Sequence, residues 1–267
     1  LYWVSAENTD FIDKELPLKE TKIMNLFKIT DYMDNILNIK DIEDKSLNGL
    51  QVENSGDIEK IYTGVDISYE FVNQCSPNSL IIVHHGFFWG KPLAIKGRIY
   101  KIIHSLIKKN CALYVSHLPL DSHEELGNNH GFYKLAGWDE FKTEKFDLTS
   151  IIEFPEAKPL CDVLEKIRSV IGKDITLWDF GKKEIKKLAF VSGGAIYMIS
   201  LAIEKGLDLY ITGEPSHSSY WTAKENKINV VFGGHYNTEK TGVNLLAEHV
   251  SEKFSIDYKF IDLPTGL

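Results

Sequence analysis

Two histidines stand side by side at His84-His85, after the apolar run Leu80 to Val83 and before Gly86, and far downstream His235 and Glu239 lie four residues apart. These residue types can hold a metal. Neighbouring side chains in extended backbone point to opposite sides. The histidine pair can therefore feed two metal ions, or one ion and the groups that orient its ligands, and two ions fit better. Asp121 adds a hard oxygen in Ser116-His117-Leu118-Pro119-Leu120-Asp121, just past the strand-like run Leu113 to Val115, where a turn can aim its carboxylate at the same place. His235 follows the apolar run Ile228 to Phe232 through Gly233-Gly234, and a spacing of four puts Glu239 on the same helical face if a helix begins early enough. Three imidazoles and two carboxylates form a mixed nitrogen and oxygen set. Such a set suits zinc, iron or manganese rather than calcium, with carboxylates able to bridge two ions.

Other titratable groups lie close to these in sequence. His117, His123, His130 and His217 are candidates to orient ligands or contact substrate, and His117, His123 and Glu214 are the candidates to move protons. Glu214, after the strand-like Leu209 to Thr212, either faces the site or caps a helix. Taken alone, a buried His or Asp is usually a hydrogen-bonded structural group. Company and order raise the five ligands above that reading, whereas His104 and His249 fall in helical patterns and look ordinary. Phe87, Phe88 and Trp89 can stack a base at the mouth of the site or pack a subunit interface, and the interface reading is favoured. Ser192-Gly193-Gly194 lacks both the GxGxxG spacing and the Walker lysine, so it reads as a tight turn into a helix.

The elements that must carry these residues alternate along the chain. Leu26, Ile29, Met33, Ile36 and Leu37 recur at helical spacing, and Lys60 to Val65 reads as a strand. Strand-like Leu80 to Val83 leads to a helix with an apolar face at Ile99, Ile102, Ile103, Leu106 and Ile107, and then to Leu113 to Val115. The alternation predicts an α/β protein. After Gly127 to Gly137 the pattern is polar and less regular to about Ser150, and a second α/β unit begins there or slightly earlier. The expected organisation is a first unit over 24–125 plus 227–267, carrying most of the ligands, and a second over 126–226. In open α/β sheets, sites form outside the carboxyl ends of strands, which explains ligands so dispersed in sequence.

Composition agrees. With 267 residues, 43% hydrophobic and 25% charged, the chain is long enough for two domains with sizeable cores. The net charge of −8 and the lack of a long lysine and arginine patch argue against tight general binding to nucleic acid. Lys182-Lys183 and Lys186-Lys187 are interrupted by Glu184 and read as a solvated face. The 3 cysteines are far apart and signal neither a disulfide framework nor a CxxC metal site, so a reducing cytoplasm is the expected location. No apolar run reaches the ~18 residues of a membrane helix. Residues 1–23 have an acidic, patternless look and are expected to be an upstream or appended segment.

Four strings in order, VHHGFFWG (Val83 to Gly90), SHLPLDSHEELGNN (Ser116 to Asn129), ITGEPSH (Ile211 to His217) and GGHYNTE (Gly233 to Glu239), carry a family resemblance. With NGLQVE at Asn48 to Glu53 and GVD at Gly64 to Asp66, the chain from Met24 onward resembles the Nif-three-like family, also called GTP cyclohydrolase I type 2, in its short form without an inserted domain. The resemblance implies a toroidal homohexamer of subunits with two α/β/α-type domains. It implies a dinuclear metal centre whose five protein ligands fall on His84, His85, Asp121, His235 and Glu239. The implied substrate is a purine nucleotide such as GTP, opened by hydroxide addition at the imidazole carbon with release of formate. Two other readings use the same residues, a non-enzymatic metal-stabilised hexameric scaffold or regulatory protein, and a dinuclear phosphoesterase.

Overall fold

Asn25 starts the first helix, Leu26–Ile36, by accepting hydrogen bonds from the backbone N–H groups of Phe27 and Lys28. The helix buries Leu26, Ile29 and Met33, the stripe its spacing predicts, against a sheet. In the computed structural model, which describes residues 23–267, that sheet has five strands. Their order is Tyr258–Phe260, Lys60–Asp66, Ser79–His85, Ala112–Val115 and Gly49–Val52, and only the last runs antiparallel. Alternate residues of the central strand serve opposite faces. Leu80 and Ile82 join the core under helices Leu26–Ile36 and Lys240–Phe254, while Ile81 and Val83 join the core under helices Tyr69–Gln74 and Gly97–Lys108. Parallel strands covered on both faces read as the continuous apolar runs seen in the sequence.

A second sheet repeats the plan. Its order is Lys142–Phe146, Thr149–Pro159, Glu184–Phe190, Leu209–Thr212, Asn229–Phe232 and Thr176–Trp178. The three strands Glu184–Phe190, Leu209–Thr212 and Asn229–Phe232 are mutually parallel, and antiparallel strands flank them. Leu188 and Phe190 pack beneath helix Leu160–Ile171, and Ala189 and Val191 beneath Ile199–Glu204 and His217–Glu225. The α/β expectation therefore holds, with helices on both faces of each sheet. Among the described residues no helix is long and apolar enough to cross a membrane.

Two expectations need correction. The stretch read as less regular up to Ser150 holds the hairpin strand Lys142–Phe146, and before it Gly127 to Gly137, given no element from sequence, holds the helix Asn128–Ala136. Asn128, Asn129 and Gly131 are weak helix formers, which hid the helix, and tertiary contacts override them. A Cβ on Gly131 would lie 2.8 Å from both Leu245 Cδ1 and Thr241 Cγ2, so glycine lets this helix approach Lys240–Phe254. The second correction concerns residues 227–267, expected in the first unit. Strand Asn229–Phe232 instead lies in the second sheet, and the chain rejoins the first only with Lys240–Phe254 and Tyr258–Phe260. His235 and Glu239 thus sit on the crossing between sheets. The expected upstream segment 1–23 falls, except for Ile23, outside the described residues.

Candidate metal centre

His84 and His85 are the last two residues of strand Ser79–His85. His84 is 0% exposed, and its Nδ1 donates to the Ser116 carbonyl at 2.9 Å, which fixes the tautomer and leaves Nε2 as the open nitrogen. His85 is half-buried, and its Nδ1 donates to Asp66 Oδ1 at 2.9 Å. The register supplies this partner, because Asp66 ends the adjacent strand directly beside His85. Despite the alternation expected of neighbours, both Nε2 atoms reach one carboxylate. They lie 3.6 and 3.4 Å from the two oxygens of Glu239.

Glu239 is 3% exposed and also receives His235, whose Nε2 is 3.1 Å from Oε1. His235 opens the one-turn helix His235–Thr238, so the spacing of four acts as expected. Its Nδ1 donates to Glu214 Oε1 at 2.7 Å. Asp121 lies in the short helix Leu118–Ser122 after strand Ala112–Val115. Its Oδ1 accepts from Asn128 Nδ2 at 2.9 Å and from Ser192 Oγ at 2.8 Å, while Oδ2 sits 3.4 Å from His84 Nε2. The structure thus brings all five proposed ligands together. The Ser192-Gly193-Gly194 turn closes one side and opens a helical turn at Ala195–Met198, as its sequence suggests. Gly193 has φ of +66°, and a Cβ there would lie 2.4 Å from Glu239 Oε1 and 3.3 Å from His235 Nε2. Only glycine lets the backbone pass this close.

The electrostatics describe a cluster built around cations. Burial pulls the His84 imidazole down, yet the adjacent Asp121 and Glu239 carboxylates outweigh it and hold the ring well above its ordinary pKa. The hydrogen bond to Glu239 raises His235 to about 9 against the opposing effect of burial. Burial opposes ionisation of Glu239 and Asp121, but the imidazoles beside them hold both carboxyls below the usual range. His84 Nε2 and Glu239 Oε2 are buried and have no hydrogen-bond partner. Buried donor atoms without partners, converging carboxylates and a backbone cradle that a Cβ would fill all fit a metal ion. Two overlapping groups can each hold one: His84, His85 and His117, and His85, His235 and Glu239, with the ligand atoms of each group within 4.8 Å of one another.

The remaining candidates separate clearly. His117 lines the cleft, and its Nδ1 donates to both oxygens of Asp44, at 3.0 and 3.1 Å. Asp44 is held by further bonds from Asn48 Nδ2 and the backbone N–H groups of Ser46 and Leu118. Burial opposes its ionisation, but His117 and these donors keep the carboxyl below its usual range. Glu214 does face the centre, as the partner of His235. His123 does not: its Nδ1 accepts from the backbone of Glu125 and Leu126, and burial lowers its pKa, so it braces a turn. His130 is buried in helix Asn128–Ala136, edge-on to Tyr133, and His217 is exposed at the start of helix His217–Glu225. His104 stacks on Tyr100, and His249 pairs with the Tyr32 hydroxyl at 2.6 Å. Phe87 and Phe88 pack into the core of the first sheet, whereas Trp89 lines the cleft, with its ring 5.0 Å from that of His117. Sequence reasoning missed Asp44, which sits in a run of charged residues that carries no signal, and the Asn128 contact to Asp121.

This is an α/β protein with a cluster of imidazoles and carboxylates, able to hold a metal ion, at the junction of two sheets. The sequence profile of Duf34/NIF3 (NGG1p interacting factor 3) matches residues 24–265, and the chain belongs to that family. It is 38% identical over 252 residues to the "GTP cyclohydrolase 1 type 2 homolog" of Archaeoglobus fulgidus, covering 91% of this chain and 100% of the relative. The homolog of the same name from Pyrococcus abyssi is 39% identical over 249 residues, 90% of this chain and 98% of that one. The crystal structure of TTHA1606 from Thermus thermophilus superposes with a TM-score of 0.84 at 34% identity, covering 91% and 100% of the two chains.

Proposed function

We propose that this protein is a metal-dependent hydrolase that binds two divalent ions, of zinc, iron or manganese, and opens the ring of a purine-type substrate, as the name of its relatives suggests. The observation that carries the reading is Glu239, whose Oε1 faces His84 and His235 while Oε2 faces His85. A carboxylate divided in this way suits a bridge between two ions. His84, His85, Asp121 and His235 would supply the remaining protein ligands, His84 and Asp121 being the more buried. Bound there, a pair of divalent ions supplies water acidic enough to ionise near neutral pH and positive charge for a developing oxyanion.

The chain's own groups do the rest. Asp66, Glu214 and the Ser116 carbonyl each hold the Nδ1–H of one histidine, so every ring presents Nε2 without reorganising. Hydrolytic ring opening adds hydroxyl to a ring carbon and a proton to the departing nitrogen. His117, oriented by Asp44, takes and returns that proton at Nε2. Assembly as a homohexamer belongs to the same proposal, and light scattering tests it. Elemental analysis of the purified protein, paired with turnover of purine nucleotide, phosphodiester and cyclic amide panels, tests the function. Near two transition-metal ions per chain with ring opening of a purine supports it. Full metal content with no turnover on any panel overturns the enzymatic reading.

A further inference from the structure

The cleft beside the metal centre has a volume of about 480 Å3, room for a nucleoside-sized ligand. Away from the ligands its walls change character. Trp89 and Tyr197 face it from the two sheets, 40% and 76% exposed. The Trp89 ring is already fixed: its Nε1 donates to the Gly86 carbonyl at 3.2 Å, and it meets His117 edge-on at 5.0 Å and His85 at 6.0 Å. Leu118, Leu148 and Val191 add apolar surface.

The charges are equally informative. Among the described residues no lysine or arginine lines the cleft, and the charged group away from the ligands is Asp147. Asp147 sits at φ 51° between strands Lys142–Phe146 and Thr149–Pro159, exposed and with no hydrogen bond or ion pair among the described residues. Asp147 and Tyr197 line the same cleft, and burial first, then the Asp147 charge, raise the pKa of the Tyr197 phenol. Apart from metal ions, phosphate sites are built from lysine, arginine or free backbone N–H groups. The glycine turn offers few of the last. The N–H groups of Ser192, Gly193 and Ala195 are already committed to Asn129 Oδ1, Thr238 Oγ1 and Thr212 Oγ1.

We infer that the cleft recognises a planar, uncharged nitrogen heterocycle, a nucleobase or nucleoside, held between Trp89 and Tyr197, and that the described side chains of the cleft offer a triphosphate no cationic partner of their own. Which ring atom meets the metal centre rests on the hydrolytic reading above. The aromatic clamp is tested by binding alone. Calorimetry on the full chain stripped of metal, so that phosphate meets no cation of the centre, compares guanosine, GTP and inorganic triphosphate. Guanosine is expected to bind with GTP no more than about 3-fold tighter, and triphosphate is expected not to displace it. Trp89→Ala and Tyr197→Ala should each weaken guanosine by about 10-fold, the loss of one stacking face, with metal content before stripping unchanged. Asp147→Asn should tighten GTP severalfold and leave guanosine unchanged. Absence of guanosine binding, a larger preference for GTP, or wild-type affinity in both aromatic variants overturns the inference. Guanosine that binds but is never turned over by the metal-loaded chain sinks the hydrolytic reading and leaves the clamp intact.

Discussion

Gly193→Ala tests the centre through a residue that supplies no ligand atom. The new methyl carbon would lie 2.4 Å from Glu239 Oε1 and 3.3 Å from His235 Nε2, both on side chains enclosed by the cluster. Because Glu239 is buried, with His235 Nε2 3.1 Å from Oε1 and His85 Nε2 3.4 Å from Oε2, it cannot swing away without giving up those approaches. The backbone adds its own penalty: alanine at φ +66° costs about 1–2 kcal/mol. Gly206 isolates that term, since its φ is +68° and nothing lies within 4 Å of a Cβ there. Gly206→Ala should therefore lose about 1–2 kcal/mol of stability and retain its metal. Gly193→Ala should lose as much and, in addition, bind metal about 10- to 100-fold more weakly, the scale seen when groups that hold ligands are disturbed. Chemical denaturation measures the first quantity, and competition with a fluorescent chelator the second. If the two alanine variants bound metal equally well, the reasoning that places Gly193 against the metal cradle would be refuted.

Replacing His85 or Glu239 by Ala should reduce bound metal without unfolding the chain, because both sit at the ends of elements rather than in the cores; full metal content by elemental analysis in both variants would sink the ligand assignment. Asp44→Asn should lower turnover by about 100-fold while metal content holds, since it disturbs His117, the group proposed to move the proton. Parallel loss of metal in that variant would make His117 a ligand instead, and wild-type turnover would remove it from the chemistry. For the metal-free protein, the raised His235 pKa fixes the sign of a pH effect. A raised imidazole contributes stability fully present below its unfolded value near 6.5 and lost as pH rises to about 9. Melts of chelator-treated protein should fall over that interval, His235 alone contributing at most roughly 3 kcal/mol, less after solvent screening, and the raised His84 adding in the same direction. Metal-loaded protein should show no such fall, because ligand deprotonation favours metal. A flat profile for the metal-free form would contradict the proton-for-metal exchange.

How much of this was legible in the sequence follows from what each residue type must do. Ligands need rare chemistry, so His84-His85 and the His235 and Glu239 pair stand out against a background of apolar strands. Strands and helices with regular apolar spacing were equally visible, from Leu26 to Met33 and from Leu80 to Val83. Residues that only hold a ligand in place are chemically unremarkable and find their partners through the fold. Asp44 meets His117, and Asp66 meets His85, through strand order and register that no local pattern encodes. The helix Asn128–Ala136 was hidden for the same reason. Asn128 is a poor helix former that donates to Asp121 and accepts from the backbone of Gly242, and Asn129 accepts from Ser192.

Those two asparagines also explain why the chain changes sheets where it does. Asp121 descends from the first sheet, Ser192 from the second, and Gly242 begins the helix that returns to the first. Asn128 and Asn129 tie all three together at the point where the ligands converge. A centre assembled this way draws His84, His85 and Asp121 from one sheet and His235 and Glu239 from the segment leaving the other. Any relative motion of the sheets would therefore separate one ligand group from the other. A metal ion held there would clamp the two halves together, and the buried, unpartnered Nε2 of His84 and Oε2 of Glu239 are the atoms it would join.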